Sequence, residues 1–479
     1  MAAGRLTTSA RRPPLAAAAV IALTAAGSLY ANHTLASDLF WLLADGRQLV
    51  HHGFSQTDPF LTLSHGRVWL NQQWLTAVVF YGLQRAVGFT GLSVLYACLI
   101  GCAVAPLVWG SRYRRRGEVL LCCALTAPTL VAVLDIRAAG FSLLAFSLLI
   151  VICGAQRRRW PVWLVPLIFL VWAQLHAAFA AGLLFLALVV AGSAWDAWRG
   201  RTGWTFSRRF IWFGFAPVAV FLTPIGPRVL TYMHVLASDQ AVLQVISLEW
   251  QPTWWHPLLT AYVLLVAGFC VWLWRSQPGP RASEPLIVAL GFCAFSMTAT
   301  RQLIWLGPVC FYVLRTCGRP GVFTLPWRAT VPVVAAAVAA VACWVALFAP
   351  AQPEPGLMTK AVAFAAEHPP CTGRVAVTPG PGSVMLWLGP RVPSLTDGRI
   401  EAYTADEIDG SYTIVNGGSG YQALILRWDV PGVITRDGNG IRRLEQAGFN
   451  PVYHAGEGTY LVRPSADPAD GIDLPLCER

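Results

Sequence analysis

Long apolar segments separated by short arginine clusters run through most of this sequence. A hydrocarbon core about 30 Å thick needs about 20 apolar residues of α-helix to cross it. The pattern therefore predicts an α-helical polytopic membrane protein, in which the shorter segments, of 13 to 16 residues, extend into their loops. The eleven candidate spans are residues 14–37, 86–111, 119–134, 138–156, 160–175, 177–195, 210–227, 257–274, 285–300, 302–314 and 329–353.

Basic clusters occupy every second connection between these spans. By the positive-inside rule such connections are cytoplasmic. The N-terminus is then cytoplasmic, and an odd number of spans places the C-terminal region outside. Arginines confined to short loops do not predict nucleic-acid binding. The clusters are Arg112, Arg114, Arg115 and Arg116; Arg157, Arg158 and Arg159; Arg199, Arg201, Arg208 and Arg209; Arg275 and Arg281; and Arg315, Arg319 and Arg328.

Two apolar stretches need separate interpretation. The charge-free stretch Pro13–Ser37 is longer than the hydrophobic region of a secretory leader, so we predict a retained first span. Residues 68–84 are apolar enough to be argued as a crossing, but a crossing there would turn every later basic cluster outward. We therefore predict a helix that lies in the outer interface of the membrane, where Trp and Tyr are favoured.

Charge divides the chain into two domains. Residues 1–353 hold 25 Lys and Arg against 9 Asp and Glu, whereas residues 354–479 hold 10 against 15. The sequence thus predicts a membrane domain, 1–353, followed by an extracytoplasmic domain, 354–479. Helix-like and strand-like segments alternate in the second domain, which predicts a small α/β fold. The segments are helix-like 359–367 and 439–448, strand-like 374–378, 412–415 and 459–463, and a Gly/Pro stretch at 379–382 that we interpret as a loop.

The cysteines lead to two further expectations, one about a metal site and one about a disulfide. Ten of the twelve lie within or beside apolar segments and none forms a CxxC pair, so no metal site of that type is predicted. Cys371 and Cys477 belong to the C-terminal domain. In an extracytoplasmic domain they either form a disulfide that ties its two ends or remain two buried thiols.

Ionisable residues gather in the connections predicted to lie outside, which hold six of the nine acidic residues of the membrane domain. Charged groups at a membrane surface are costly to desolvate and tend to mark functional sites. They are Asp38, Asp45, His51, His52, Asp58, His65 and Arg67 in the first loop; Asp135, Arg137, His176 and Arg301 in tight turns; and Arg228, His234, Asp239 and Glu249 in loop 228–256.

Several short motifs follow one another in order along most of the chain. They are Asp38-Leu-Phe-Trp-Leu-Leu-Ala-Asp45-Gly46-Arg47, Gly53-Phe-Ser-Gln-Thr-Asp58-Pro59-Phe60, Trp69-Leu-Asn-Gln-Gln-Trp74-Leu75, Arg137-Ala-Ala-Gly-Phe-Ser-Leu-Leu, Trp172-Ala-Gln-Leu-His176-Ala-Ala-Phe, Glu249-Trp250-Gln-Pro252, Arg301, and Thr396-Asp397-Gly398-Arg399-Ile-Glu401-Ala-Tyr403. Their order resembles the GT-C class of polyprenyl-phosphate-sugar-dependent glycosyltransferases, and is similar to a poorly characterised bacterial membrane family of that class.

The resemblance implies an inverting glycosyltransferase in the bacterial plasma membrane. Such an enzyme moves a sugar from a polyprenyl-phosphate donor to a hydroxyl of a cell-envelope acceptor, among membrane lipids. This reaction needs a carboxylate that takes the hydroxyl proton and cations that stabilise the departing phosphate. No cofactor is implied with certainty, and a divalent cation is left open.

Candidate residues follow from these roles. The predicted catalytic residues are Asp38, as general base, with Glu249 and Asp58. Asp38 otherwise caps the interfacial helix 39–50, and Asp58 otherwise makes a turn before Pro59. Glu249 is a second acid, a ligand for a divalent cation, a group that orients the acceptor, or a surface residue beside Trp250. The predicted substrate-binding residues are Arg137 and Arg301 for the phosphate, with His176, Asp397, Arg399 and Trp74.

Other interpretations remain for these binding residues. Either arginine instead reaches lipid headgroups, His176 packs as a hydrogen-bonded histidine, and the Asp397 loop is a plain turn.

The chain departs from the family pattern at three motifs. Gln72 and Gln73 stand where the family has a His-Glu pair, Arg137-Ala-Ala replaces Arg-Pro-Gln, and Gln174-Leu-His176-Ala replaces Asn-Leu-His-Gly. The missing carboxylate leaves open altered substrate choice or a catalytically inactive scaffold. A transporter would need ionisable or broken positions near mid-span, and the apolar segments have almost none.

Overall fold

A computed structural model of the protein describes residues 15–32, 34–111, 114–154, 161–200, 208–238, 248–277, 281–320 and 352–464. This part of the chain is mostly helical and carries a small sheet near its C-terminus. Its helices are α1 (Leu15–Ala31), α2 (Ser37–His52), α3 (Trp74–Gly110), α4 (Arg116–Leu130), α5 (Ala139–Cys153), α6 (Leu164–Leu175), α7 (Phe179–Trp198), α8 (Arg208–Val220), α9 (Val229–Ser238), α10 (Pro257–Arg275), α11 (Glu284–Thr298), α12 (Leu306–Cys317), α13 (Thr359–Glu367), α14 (Pro379–Leu388), α15 (Ala405–Val415), α16 (Tyr421–Trp428) and α17 (Gly438–Gln446).

Three of these helices, α3, α7 and α10, are long and apolar enough to cross a membrane. Shorter apolar helices fill five more of the predicted spans, as α4, α5, α6, α8 and α11. The prediction of a helical membrane protein is confirmed at this level. The last predicted span, 329–353, lies almost entirely outside the described residues.

Aromatic side chains form the centre of the helical bundle. Phe146 of α5 lies 5.0 to 5.5 Å, between ring centroids, from Trp305, Phe185 and Phe292. These tilted and edge-on ring contacts stabilise the cluster in addition to the stabilisation gained by burying the apolar surface of the rings. The cluster holds α5, α7 and α11 together beneath the loops that carry the predicted site.

Residues 68–84 differ in part from their prediction. Residues 68–73 are not helical, and α3 begins at Trp74 and runs 37 residues to Gly110. Gly88 interrupts it with φ 67 and ψ −175, a conformation that glycine tolerates. The predicted interfacial helix is therefore the first arm of a kinked helix, whose second arm is the predicted span 86–111.

The C-terminal domain contains a four-stranded mixed sheet flanked by helices. Its strands are β3 (Val375–Ala376), β4 (Gly432–Thr435), β5 (Asn450–Ala455) and β6 (Gly458–Val462), in the order β3-β4-β6-β5. β3 and β4 are parallel, and the other neighbouring pairs are antiparallel. The predicted strand at 459–463 and the helices at 359–367 and 439–448 are confirmed, with small shifts of boundary, and the strand at 374–378 is reduced to two residues.

Two predictions in this domain are wrong. Residues 412–415 end α15 rather than forming a strand, because Thr404 and Glu407 form a reciprocal capping box that starts a helix there. Residues 379–382 are the first turn of α14 rather than a loop. Proline is well suited to the first position of a helix, and Pro379 begins this one.

The C-terminal domain docks on the first connection that is predicted to lie outside, residues 38–73, which we call the first outer loop. Strand β1 (Thr34–Leu35) pairs in parallel with β2 (Gln352–Pro353), at the entrance to the domain. Helix α2 packs on α14, where Arg47 donates hydrogen bonds of 3.0 and 2.8 Å to the carbonyl groups of Trp387 and Leu386. The helix that begins beside Asp38 is thus part of the domain interface.

Connections predicted to be cytoplasmic contact one another. Arg114 donates to the carbonyl groups of Gly318 and Arg315, and Arg319 lies 4.0 Å from the carboxylate of Glu118. Each of these contacts joins two connections that the arginine pattern assigns to the same side. The predicted outer connections meet at a different place, around Arg137.

Candidate functional site

Three predicted residues meet in a single ion-pair group. Arg137 Nε lies 3.4 Å from Asp38 Oδ2, and the same guanidinium donates a hydrogen bond to Glu249. The side chains of Arg137, Asp38 and Glu249 are 25%, 37% and 42% exposed, so a ligand can reach all three. The three residues are far apart in sequence, and only folding brings them together.

Helix α2 places Asp38 in its first turn. Ala36 is the N-cap and contributes no side-chain hydrogen bond, so the free N–H groups and the positive end of the helix dipole favour the nearby carboxylate. The alternative that Asp38 caps a helix over 39–50 is wrong, because the helix begins at Ser37 and Ala36 is its N-cap. Asp38 lies inside the first turn, where it contacts Arg137.

The turn that carries Arg137 is held by a buried asparagine. Asn32 Nδ2 donates to the carbonyl of Leu134 over 2.8 Å, and its Oδ1 accepts from the N–H of Ile136 over 2.8 Å. Ser28 Oγ donates to the same Leu134 carbonyl at 2.8 Å. Sequence reasoning missed Asn32, because a single asparagine after an apolar span gives no signal of this clamp.

Glu249 and Arg301 are joined through Thr300. Thr300 Oγ1 contacts the carbonyl oxygens of Leu248 at 2.9 Å and of Glu249 at 3.1 Å. The next residue, Arg301, lies with its guanidinium carbon 4.2 Å from the ring centroid of Trp250, a cation–π contact. We call Asp38, Arg137, Glu249 and Arg301 the Asp38 site.

The two arginines of the Asp38 site differ in their charge environment. Burial alone would lower the pKa of Arg137, but the carboxylates of Asp38 and Glu249 raise it above its ordinary value. Burial alone would raise the pKa of Glu249, but Arg137 lowers it below its usual range. Arg301 is half-buried and, within the described part of the chain, forms neither an ion pair nor a hydrogen bond through its side chain. Arg301 is therefore the cation available to an anionic ligand.

His176 directly follows α6 and is buried. Trp172 Nε1 donates to Ser142 Oγ over 2.7 Å, and His176 Nδ1 lies 2.8 Å from the same oxygen. Among the described residues, Nδ1 is the acceptor within reach of the Ser142 hydroxyl proton, so we assign the imidazole proton to Nε2. Burial, reinforced by the charge of Arg301, lowers the pKa of His176 to about 3, so the ring is neutral at physiological pH.

Trp74 and its neighbours form a group of side-chain hydrogen bonds beside His176. Trp74 Nε1 donates to Gln174 over 2.8 Å, which occupies its one polar atom. Gln72 donates to the Tyr232 hydroxyl over 3.0 Å and accepts from the backbone N–H of Ala177 over 3.3 Å. Gln72 is therefore a structural amide that joins the residues before α3 to Tyr232 and to the turn after His176.

Asp58, Asp397 and Arg399 form a separate, buried network. Arg399 donates to both Asp58 oxygens, over 2.8 and 3.1 Å, and to both Asp397 oxygens, over 2.9 and 2.6 Å. Tyr403 donates to Asp397, and all three charged side chains are at most 1% exposed. These residues join the first outer loop to the C-terminal domain. Their predicted catalytic and substrate-binding roles disagree with this geometry, because no ligand reaches them.

Asp45 is a buried carboxyl that sequence analysis placed in the outer loop without a role. It is 1% exposed and accepts a hydrogen bond of 2.7 Å from Asn71. Burial raises its pKa to about 7, although Asn71 and Arg399 act in the opposite direction. Its place on α2, seven residues after Asp38, connects the buried network to the Asp38 site.

Among the described residues, no group of three or more His, Cys, Asp or Glu is arranged to hold a metal ion. Cys371 is disulfide-bonded. Cys477, its predicted partner, lies outside the described residues.

Comparisons with known proteins add no family assignment. A scan against protein-family models gives no match, and a search of the curated proteins gives no significant match. The function is therefore inferred from the geometry of the Asp38 site.

Proposed function

We propose that this protein is an integral membrane glycosyltransferase of the GT-C type, which transfers a sugar from a polyprenyl-phosphate donor to a hydroxyl of an extracytoplasmic acceptor. One observation carries the proposal: an accessible carboxylate, Asp38, shares one site with Arg301, an arginine that forms no ion pair with any described acidic residue. Acid–base chemistry on a hydroxyl and binding of a phosphate need these two groups.

Asp38 is the general base of the proposed reaction. The acceptor hydroxyl gives its proton to Asp38 while its oxygen bonds to the anomeric carbon of the sugar. The bond from that carbon to the phosphate oxygen breaks, and its electron pair leaves with polyprenyl phosphate. Attack opposite the leaving group inverts the anomeric centre.

The phosphate is assigned to Arg301 rather than Arg137. Arg137 already faces two carboxylates, so its charge is compensated and it orients Asp38 and Glu249. Arg301 keeps its guanidinium donors available, and the stacked Trp250 ring restricts its motion. Neutral His176, with its proton on Nε2, supplies a further donor without adding charge.

The proposed topology has eleven spans, a cytoplasmic N-terminus and an extracytoplasmic C-terminal domain in the bacterial plasma membrane. It is supported by the two separate groups of loop contacts, one around Arg114 and one around Arg137. In this arrangement α2 and the first arm of α3 lie at the outer membrane–water interface. The residues of the Asp38 site would then face membrane lipids and the cell-envelope acceptor together.

A catalytically inactive binding protein is the second candidate. The observation in its favour is that Arg137 engages both Asp38 and Glu249, so both carboxylates are already paired with a cation. Such a protein would still bind a lipid-linked phosphate at Arg301. A transporter is disfavoured, because the polar groups described above gather between helix ends.

Transfer assays with Asp38→Asn test the proposal. The full-length protein, in lipid nanodiscs, is given a panel of polyprenyl-phosphate sugars, with Asp409→Asn, an exposed carboxylate of α15, as the matched control. We expect Asp38→Asn to lower transfer about 100- to 10,000-fold and to keep polyprenyl-phosphate binding. Arg301→Gln should instead weaken that binding at least about tenfold.

Each outcome of the assays has a defined meaning. Unchanged transfer by Asp38→Asn would remove Asp38 from the role of base. Binding of polyprenyl phosphate by the wild type without transfer of any sugar would favour the inactive binding protein. Absence of binding that depends on Arg301 would contradict both candidates.

A further inference from the structure

Basic side chains meet where the C-terminal end of α2 packs on the first arm of α3. His51 Nε2 lies 3.2 Å from the Tyr81 hydroxyl oxygen, and Arg85 Nη1 donates a long hydrogen bond of 3.5 Å to the same oxygen. Tyr81 is buried, whereas His51 and Arg85 are exposed. Because both exposed side chains contact one oxygen, a single phosphate group can contact both. We call His51, Tyr81 and Arg85 the Arg85 surface.

Aromatic contacts fix the position of the Tyr81 hydroxyl. The Tyr81 ring meets Trp387 of α14 edge-on, with 6.3 Å between ring centroids, and meets the His51 ring edge-on at 6.2 Å. The guanidinium carbon of Arg47 lies 4.8 Å from the Trp387 ring centroid, a cation–π contact. Tyr81 is thus held between α2, α3 and α14, and it gives His51 and Arg85 a common point of attachment.

No carboxylate from these elements compensates the charge of the Arg85 surface. The sequence has no Asp or Glu at 46–57, 59–117 or 368–396, which cover the second half of α2, all of α3 and all of α14. Among the described residues, His51 and Arg85 form no ion pair and have no polar side-chain partner other than Tyr81. Their remaining donors are therefore available to an anion that comes from outside the chain.

The kink in α3 sets the depth of the Arg85 surface. The second arm, from Gly88 to Gly110, is about 34 Å long at 1.5 Å per residue, enough to cross a hydrocarbon core of about 30 Å. Arg85 precedes this arm by less than one helical turn, so a crossing second arm puts Arg85 at the level of the lipid headgroups. Val50, next to His51, and Val87, next to the kink, are 54% and 48% exposed. Cations beside exposed apolar side chains at this depth fit a lipid better than a free phosphate.

We propose that the Arg85 surface binds the headgroup of an anionic phospholipid. The lipid phosphate accepts hydrogen bonds from Arg85 and His51, and the acyl chains pass over the exposed valines. The bound lipid holds the corner between α2 and α3 at the membrane surface. His51 and Asp38 lie near opposite ends of α2, about 20 Å apart along the helix axis, so this lipid site is separate from the Asp38 site and independent of the proposed transfer.

Photochemical labelling tests the lipid site. The full-length protein is placed in phosphatidylcholine nanodiscs that contain a small fraction of phosphatidylglycerol with a diazirine beside its headgroup, and labelled peptides are mapped by mass spectrometry. We expect labelling within 47–54 and 82–90, and competition by unlabelled phosphatidylglycerol but not by added phosphatidylcholine. Arg85→Gln should lower this labelling about fivefold, and added His51→Gln should lower it further. Arg442→Gln, an exposed arginine of α17, is the matched control and should label as wild type.

Three results would overturn the lipid site. The first is competition by phosphatidylcholine as strong as that by phosphatidylglycerol, which would mean ordinary contact with the bilayer. The second is wild-type labelling by Arg85→Gln. The third is stronger competition by polyprenyl phosphate than by phosphatidylglycerol, which would assign the surface to the donor lipid. Arg85→Lys keeps the charge and should retain most of the labelling, so a loss as large as that of Arg85→Gln would also contradict an electrostatic site.

Discussion

Replacement of the buried acid Asp45 by asparagine should flatten the pH dependence of stability. Asp45 accepts a hydrogen bond from Asn71, and Arg399, the cation that acts on it, is already paired with Asp58 and Asp397. A charge on Asp45 is therefore poorly compensated, and burial raises the pKa from 3.8 to about 7. The asparagine variant carries no charge at any pH and keeps an oxygen that accepts from Asn71.

The sign and size of the effect follow from proton linkage. The folded protein keeps the Asp45 proton up to about pH 7, whereas the unfolded chain loses it near 3.8. The stability contributed by Asp45 is therefore complete below about pH 4 and is lost as the pH rises through 7. The whole difference corresponds to about 4 kcal/mol. Between pH 5 and pH 8 the loss is about 2.5 kcal/mol.

Unfolding of the purified full-length protein in detergent, followed from about pH 5 to pH 8, measures this difference. The wild type should lose about 2.5 kcal/mol more over that range than Asp45→Asn does. Asp409→Asn, on the surface, should follow the wild type. Parallel curves for the wild type and Asp45→Asn would refute the argument that Asp45 is buried with its proton.

Two further substitutions test the contacts that shape the site. Arg399→Met leaves the carboxylates of Asp58 and Asp397 buried without a cation, and should cost about 3 to 5 kcal/mol of unfolding free energy. Added Asp58→Asn and Asp397→Asn should recover part of that loss, and a single variant as stable as wild type would contradict the network. Asn32→Leu leaves the Ile136 N–H unpaired, and should cost about 1 to 3 kcal/mol while lowering transfer, because the Arg137 turn moves. Equal stability and transfer in wild type and Asn32→Leu would show that the clamp does not position Arg137.

The Asp38 site was largely predictable, because membrane topology sorts loops without regard to distance along the chain. Every second predicted connection carries arginine clusters, so the remaining connections are predicted to share a side, and Asp38, Arg137, Glu249 and Arg301 lie in those remaining connections. Sequence alone did not show how they pair. Arg137 forms ion pairs with two carboxylates, whereas Arg301 forms none with the described residues, and this difference depends on side-chain distances.

The buried network was not predictable by the same argument. Asp58, Asp397 and Arg399 lie on outer segments like the site residues, and charge patterning does not distinguish a buried ion pair from an exposed one. Packing of the C-terminal domain on the first outer loop determines which of these charged residues are buried. One local signal was missed: Thr404-Ala-Asp-Glu407 has the spacing of a capping box, which outweighs the β-branched residues at the end of α15.

Helix α2 links domain docking to the proposed chemistry. Its first turn carries Asp38, its middle buries Asp45, and Arg47 binds the carbonyl groups of α14. Gly46 lies so close to α3 that a Cβ there would sit 2.2 Å from the carbonyl oxygen of Ala77. The helix is therefore held between α3 and the C-terminal domain, with no room to shift on its own. A change that loosens the domain interface should for that reason displace Asp38, even when no residue of the Asp38 site is altered.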